Sequence, residues 1–269
     1  MPGSAEGPRI PTATDRAGTG EPLVRVEGVS LFFGEIPAVK NISLTVDRGK
    51  IFGLIGSDGA GKSSLLRMIA TMIRPTEGRI LLNGYDVLSA RRKIKRLIGY
   101  MPQRFGLYED LTVGENMDFF LDIFAVRGPE RKERRERFLG FSNLDPFVDR
   151  LAGNLSGGMK QKLGLACVLV HHPEILLLDE PTNGVDPVSR EEFWDILFQM
   201  RDEGMTILVS TAYLDEGEKC DLLALMHRGV FLDLGPPADI QGAFPTLEDA
   251  MIDRIGKADR ELAHDQFKI

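Results

Sequence analysis

Residues 51–63, IFGLIGSDGAGKS, constrain the fold more than any other stretch of the chain. The apolar run from Ile51 to Ile55 reads as a strand buried on both faces, and it stops at Gly56. Gly56, Ser57, Asp58, Gly59, Ala60, Gly61, Lys62 and Ser63 then fit the spacing G-x-x-x-x-G-K-[ST]. After them Leu65, Leu66, Met68, Ile69, Met72 and Ile73 recur at helical spacing. Strand, glycine turn and helix in that order aim the turn's backbone amides and the positive end of the helix at one spot, which suits a phosphate. Lys62 is placed to reach β and γ phosphates, and the Ser63 hydroxyl to ligate Mg²⁺. A glycine turn that held nothing would need neither the lysine nor the serine.

The rest of the chain supplies the α/β context. Residues 23–31 alternate apolar with polar side chains, and ILLLDE (175–180) and TILVS (206–210) read as buried parallel strands. Between the last two lies a helix with Phe193, Ile196, Leu197 and Met200 on one face, ending at Gly204. From about 107 to 164 helical periodicity takes over. Thr112 and Glu115 have capping-box spacing, and Val113, Met117, Phe120, Leu121 and Phe124 form an apolar stripe. The charge run ERKERRERF (130–138) allows four-residue pairs, Glu130 with Arg134 and Glu133 with Arg137, and reads as a solvated helix face, with a lipid-headgroup or nucleic-acid contact as the rival reading. Residues 1–21 hold few large apolar groups and are expected to form a flexible leader. The expected organisation is that leader, one nucleotide-binding domain over 22–245 with the helical subdomain of about 107–164 inserted, and a helical tail over 246–269.

Composition excludes more than it identifies. Against 33 Lys and Arg stand 40 Asp and Glu, a net charge of −7 that disfavours a dedicated nucleic-acid binder. No apolar run approaches the roughly 20 residues of a membrane helix. Two cysteines and an N-terminus without an apolar signal core point to a reducing setting.

Asp179 and Glu180 close the strand 175–180 with two adjacent carboxylates, which are costly at the edge of a core unless a cation meets them. Paired with the phosphate loop, Asp179 reads as a Mg²⁺ partner and Glu180 as the general base for the attacking water. The run Leu155-Ser156-Gly157-Gly158-Met159-Lys160-Gln161 then resembles the LSGGQ signature of ATP-binding cassette ATPases, with Met159 in place of the usual glutamine. The resemblance covers about residues 23–235. It implies a RecA-like phosphate-loop NTPase core with an antiparallel β subdomain and an inserted α-helical subdomain, and it implies ATP and Mg²⁺ as ligands. In such ATPases the signature residues Ser156, Gly157 and Gly158 would face the γ-phosphate held by a second cassette. Phe33 stands where an aromatic stacks on adenine, with a core role as the competing reading. Gln103, in Met-Pro-Gln, matches the glutamine that contacts Mg²⁺ and the attacking water. Asp186, in Gly-Val-Asp-Pro, matches the loop that communicates across the dimer, with N-capping of the helix that starts at Pro187 as a compatible second role. The nucleotide set is completed by Gly56 through Ser64, with Lys62, Gln103 and Glu180 as its catalytic members and Ser63, Gln103 and Asp179 on the metal.

One departure matters most. After the strand 206–210 the family carries a switch histidine that bonds the γ-phosphate, and here Ala212 occupies its place. Asp58, where asparagine is usual, is milder. His171 and His172, before Pro173, read as ordinary residues at a helix C-terminus. These variants together resemble the N-terminal cassette of tandem ATPases serving bacterial ABC-2-type multidrug exporters. The resemblance implies a motor subunit at the cytoplasmic face of the inner membrane, peripheral and held there by integral-membrane permease subunits. It would be half of a dimer with a second, non-identical cassette, its own site hydrolysing slowly. Phe105, Leu107, Tyr108 and Glu109 are candidate contacts for a permease helix, with packing inside the helical subdomain as the rival role for Phe105 and Leu107. An alternative is a subunit that binds ATP with little or no hydrolysis and acts structurally or regulatorily. A soluble cassette of translation or DNA repair is disfavoured, because the interval from phosphate loop to signature is too short for a long coiled coil.

Overall fold

The computed structural model describes residues 21–266. The leader expected over 1–21 lies, except for Glu21, outside the described residues, as do the last three residues of the expected tail. Strands β1 (Val24–Phe33), β2 (Ile36–Val46), β4 (Glu77–Leu82) and β5 (Tyr85–Asp86) form an antiparallel sheet in the order β2-β1-β4-β5. A second sheet has the order β10-β9-β3-β8-β7-β6, from β3 (Ile51–Ile55), β6 (Ile98–Met101), β7 (Ile175–Asp179), β8 (Thr206–Thr211), β9 (Leu222–His227) and β10 (Val230–Gly235). All its pairings are parallel except β9 with β10.

Every residue of β3, β7 and β8 is buried, so their unbroken apolar runs are explained by cover on both sheet faces. The two-residue side-chain period divides those runs between two cores. Phe52, Leu54, Ile175, Leu177 and Leu208 pack toward the antiparallel sheet and α1 (Lys62–Ile69), while Ile51, Leu176, Leu178, Ile207 and Val209 pack toward the helical layer. That layer contains α3 (Val113–Ile123), α4 (Pro129–Phe141), α5 (Gly157–Leu169) and α6 (Pro187–Asp202), while α2 (Arg91–Leu97) leads directly into β6. Beyond β8 come the short α7 (Leu214–Gly217), then α8 (Pro237–Gln241) and α9 (Leu247–Gln266), whose Leu247 and Met251 close a third cluster on Ile55, Leu223 and Leu225.

Local expectations met mixed outcomes. The Thr112 hydroxyl accepts from the Glu115 amide at 3.1 Å and the Glu115 carboxylate from the Thr112 amide at 2.8 Å, which is the capping box. Val113, Met117 and Leu121 are buried as expected, but Phe124 lies at the stripe's edge, stacked on His171. Helix α1 ends at Ile69, so Met72 is not on it and is 58% exposed. The charge run on α4 is not simply a solvated face. Arg134 does pair with Glu130, but Arg137 reaches Glu203 at the end of α6 instead of Glu133, and Arg131 bridges Asp118 and Asp122 of α3. Tertiary neighbours outcompeted the local i,i+4 geometry. His171 and His172 lie past the last turn of α5, where His172 takes a left-handed backbone (φ 55°) and the His171 ring bonds the Ile98 carbonyl oxygen at 3.0 Å.

Candidate functional site

The site forms at the C-terminal edge of β3, β7 and β8. Register pairs Ile55 with Thr211 and Asp179 with Ser210, so the ends of these strands present their next residues side by side. Gly61 caps α1 with φ 108°, and a Cβ there would sit 2.4 Å from the Ala38 carbonyl oxygen, which makes glycine obligatory. No side chain caps α1 and no acid lies in its first turn, so side chains leave the amides of Lys62, Ser63 and Ser64 unclaimed. Free amides at the positive end of a helix can accept an anion. The Lys62 ammonium, 3% exposed, donates to the Gly56 carbonyl at 2.7 Å and the Ser57 carbonyl at 3.2 Å, and lies 3.2 Å from the Glu180 carboxylate.

Asp179 is fully buried. Its Oδ1 accepts from the Ser63 hydroxyl at 2.7 Å and the Ser210 hydroxyl at 2.9 Å, while the Tyr100 hydroxyl lies 3.4 Å from Oδ2. Burial, with the Asp179 carboxylate adding to it, pushes the Tyr100 phenol up, so it stays a donor. Glu180 holds φ 49°, an uncommon conformation for a side-chain-bearing residue, and its amide is pinned by the Ser210 carbonyl at 3.1 Å. Strain held at this residue fixes the direction of its carboxylate, which accepts from the Gln103 amide at 2.9 Å and contacts Asn183 at 3.4 Å. Lys62, Ser63, Gln103, Asp179 and Glu180, spread over 119 positions of sequence (62 to 180 inclusive), thus form one connected cluster.

Other expected residues stand apart from it. Phe33 pairs with Ile36 at the tip of the β1–β2 hairpin and is 55% exposed, which removes the core reading of that ring. Ser156 caps α5 by accepting from the Met159 amide at 3.3 Å, and Met159 packs against the helical core. Gly157 has open space at its Cβ position, whereas a Cβ on Gly158 would come 2.4 Å from Ser189. Asp186 caps α6 through the Ser189 amide at 3.0 Å, a bond that holds its carboxyl below the usual range. Among the described residues, no hydrogen bond or ion pair joins Ser156, Gly157, Gly158 or Asp186 to the phosphate loop. Phe105 stacks on Phe120 with centroids 5.4 Å apart and Leu107 packs on the same core, while Tyr108 is 47% exposed and Glu109 pairs with Lys160 at 2.9 Å.

Ala212 follows β8 and is exposed beside the cluster. The histidines with described side chains are engaged elsewhere, His171 at Ile98 and Phe124, His172 near the Phe138 ring, and His227 with Asp259. Sequence reasoning missed Ser210 and Tyr100, whose hydroxyls hold Asp179, and a buried hub at Glu216. The Glu216 carboxylate, 0% exposed, accepts from Thr182 and Thr211 at 2.6 Å each and from Arg190 at 3.2 Å. The only signal for Ser210 was a hydroxyl interrupting a buried strand.

Comparison with known proteins gives the same reading as the geometry. The family profile described as ABC transporter matches residues 39–183, more than half of the chain. The probable multidrug ABC transporter ATP-binding protein YbhF of Escherichia coli (strain K12) is 50% identical over 201 residues, 75% of this chain. The chain spans only 35% of that relative's length. The linearmycin resistance ATP-binding protein LnrL of Bacillus subtilis (strain 168) is 32% identical over 81% of this chain and 70% of its own. Among solved structures, an ATP-binding subunit of an ABC transporter has a TM-score of 0.78 at 27% identity, covering 87% of this chain and 99% of that one. A cassette dimer in a post-hydrolysis state with ADP and Pi has a TM-score of 0.71 at 28% identity, covering 79% of this chain and 98% of that one. A phosphate loop on a buried strand, its carboxylate pair and a serine-capped signature helix, matched by profile, relatives and fold alike, place this chain in the ABC transporter family as an ATP-binding cassette.

Proposed function

We propose that this chain is the ATP-binding and hydrolysing motor subunit of an exporter, one half of an asymmetric cassette dimer whose own site turns over slowly. The observation that carries the reading is the pairing of a complete cluster, Lys62, Ser63, Gln103, Asp179 and Glu180, with a methyl group at Ala212. The nucleotide phosphates would lie on the amides of Gly59 through Ser64, with Lys62 as their counter-charge, and the exposed Phe33 ring would cover the base. The Ser63 hydroxyl and Asp179 carboxylate, 2.7 Å apart, are hard oxygen donors that suit Mg²⁺ together with Gln103, and the ion would supply charge neutralisation at the phosphates. Glu180, aimed by its own backbone and by Gln103, takes the proton of the attacking water. A methyl at position 212 donates no hydrogen bond, so the charge developing on the phosphates lacks one contact.

Ser156, Gly157 and Gly158 would complete the site of a second cassette through the N-terminus of α5, and Asp186 would meet it across the interface. Integral-membrane permease subunits would dock near the segment after Gln103, where Tyr108 is the exposed aromatic and Phe105 and Leu107 serve packing. No helix among the described residues is long and apolar enough to cross a membrane, which fits a peripheral subunit at the cytoplasmic face of the inner membrane. The multidrug and linearmycin-resistance names of its relatives support export as the task.

Single-turnover ATP hydrolysis tests this reading. Glu180→Gln is expected to abolish the chemical step while retaining binding, and Ala212→His to raise it by about tenfold or more, since a hydrogen bond to a charged group contributes roughly 1.5–3 kcal/mol. Unchanged rates in both variants would favour the second reading that Ala212 motivates, a subunit that binds ATP without hydrolysing it.

A further inference from the structure

The charge of this chain is distributed unevenly in a way the ATPase reading does not use. Helix α2, Arg91-Arg92-Lys93-Ile94-Lys95-Arg96-Leu97, carries five cations in seven residues, and only Ile94 is buried. The chain's other basic helix, α4, sets the standard for how this protein treats such residues. There Arg131, Arg134, Arg135 and Arg137 each sit beside a carboxylate, and Lys132 pairs with Glu136. On α2 no cation has an acidic partner among the described residues. Arg91 donates to the Thr71 carbonyl at 2.6 Å, and the Lys93 ammonium lies 3.5 Å over the Tyr85 ring. Arg92, Lys95 and Arg96 are exposed, and their side chains have no hydrogen bond or ion pair among the described residues. The acid just before the helix, Asp86, is spent on the amides of Leu88 and Ser89.

Helix geometry puts these three on one side. At about 100° per residue, Arg92 and Arg96 point within about 20° of directly opposite Ile94, with Lys95 beside them. Arg91, by gripping Thr71, brings the start of α2 against the segment holding Met72, which is 58% exposed, and the exposed Arg74. An outward row of unpaired cations flanked by an exposed methionine and the Tyr85 ring has the composition of a surface that meets lipid headgroups, where cations pair with phosphates and apolar groups enter the boundary.

We propose that α2, with Met72 and Arg74, docks directly on anionic phospholipid headgroups. The charge complementarity is local: a chain of net charge −7 has no broad footprint for nucleic acid, yet three free cations suffice to reinforce attachment to an anionic leaflet. Each cation near such a surface strengthens binding by about fivefold, so the three together contribute on the order of a hundredfold. The proposal goes beyond the exporter reading, in which partners alone hold the subunit at the membrane.

The test is co-sedimentation of the full chain with phosphatidylcholine vesicles, with and without phosphatidylglycerol. The wild type is expected to sediment only with the anionic vesicles and to be released by high salt. The combined variant R92Q/K95Q/R96Q is expected to lose about a hundredfold in binding with little change in melting temperature, because all three side chains are exposed and neutral glutamines place no acid in the last turn of α2. The charge-matched variant R25Q/K40Q/K132Q, altered at exposed positions on β1, β2 and α4, is expected to bind anionic vesicles as the wild type does. Equal binding to neutral and anionic vesicles, full binding by the α2 variant, or equal loss in the control variant would overturn the proposal. Displacement from vesicles by short duplex DNA held through α2 would overturn it in favour of a nucleic-acid partner. Vesicle binding needs no ATP turnover, so a chain that binds through α2 but hydrolyses nothing would sink the motor reading and leave this one standing.

Discussion

Glu216 offers the sharpest test of how the site is held. Its carboxylate is fully buried between three elements: Thr182 from the segment after β7, Thr211 at the end of β8, and Arg190 on α6. Thr182 and Thr211 are each 1% exposed, so Glu216→Ala leaves two buried hydroxyls without an acceptor, about 1–3 kcal/mol for each. Arg190 is cushioned, because its guanidinium also reaches Asp215 at 2.6 Å and lies 4.1 Å over the Tyr213 ring. The loss expected for Glu216→Ala is therefore about 3–5 kcal/mol, the range for breaking a buried charged pair. Glu216→Gln keeps the shape and one good acceptor and should lose about 1–2 kcal/mol. Urea unfolding at constant m, with melting temperatures falling roughly 2–4 °C per kcal/mol, reads both. Single-turnover hydrolysis should fall with the alanine variant, since Thr182 and Thr211 flank Glu180 and Ala212. A loss below about 1 kcal/mol for alanine, or equal losses for alanine and glutamine, would refute the reasoning that satisfying the two hydroxyls dominates.

The signature glycines should separate by function. Gly158→Ala is expected to destabilise by about 1–3 kcal/mol through its 2.4 Å approach to Ser189, with Ser189→Gly restoring most of it in the melting temperature. Gly157→Ala, in open space, should leave melting unchanged, and a drop there would show that Gly157 is also structural. The pair His171 and His172 should make the fold acid-sensitive. Burial, with Arg134 beside both rings and Arg137 beside His172, holds both imidazoles below the usual range, His172 at about 4, so the unfolded chain binds the proton first. Stability contributed by the neutral rings is therefore present above about pH 6.5 and lost as pH falls from there toward 4. Replacing both with glutamine should flatten the melting-temperature profile across that window.

What was legible in the sequence follows the range of the forces involved. The phosphate loop could be read because its requirements are local: a buried strand, glycines where a Cβ would collide, and a helix N-terminus left uncapped. The capping box of α3 was legible for the same reason. The partners of Arg137 and the exposure of Met72 were not, since a neighbouring helix end and an early helix stop decide them. Ser210 and Tyr100 were hidden because their work is to hydrogen-bond Asp179 across β8 and β6, and nothing in their own segments calls for it.

The same contrast explains why the Glu216 hub and the α2 row went unread while the Lys62 cluster did not. A motif records residues that must meet a fixed ligand geometry, and so their spacing is constrained along the chain. A supporting carboxylate such as Glu216 needs only to arrive in the right volume, from whichever element the fold brings there. A docking surface such as α2 is defined by what its cations lack, and a missing partner shows only once every neighbour is placed. Arg190 joins the two kinds: it stands four residues after Asp186, in the loop-and-helix segment expected to face a second cassette, and it grips the carboxylate beneath Ala212's strand end. Movement of α6 at a cassette interface would therefore reach Thr211 through two hydrogen bonds, from Arg190 to Glu216 and from Glu216 to Thr211. That is a route by which an adjacent subunit can bear on the segment where the histidine is missing.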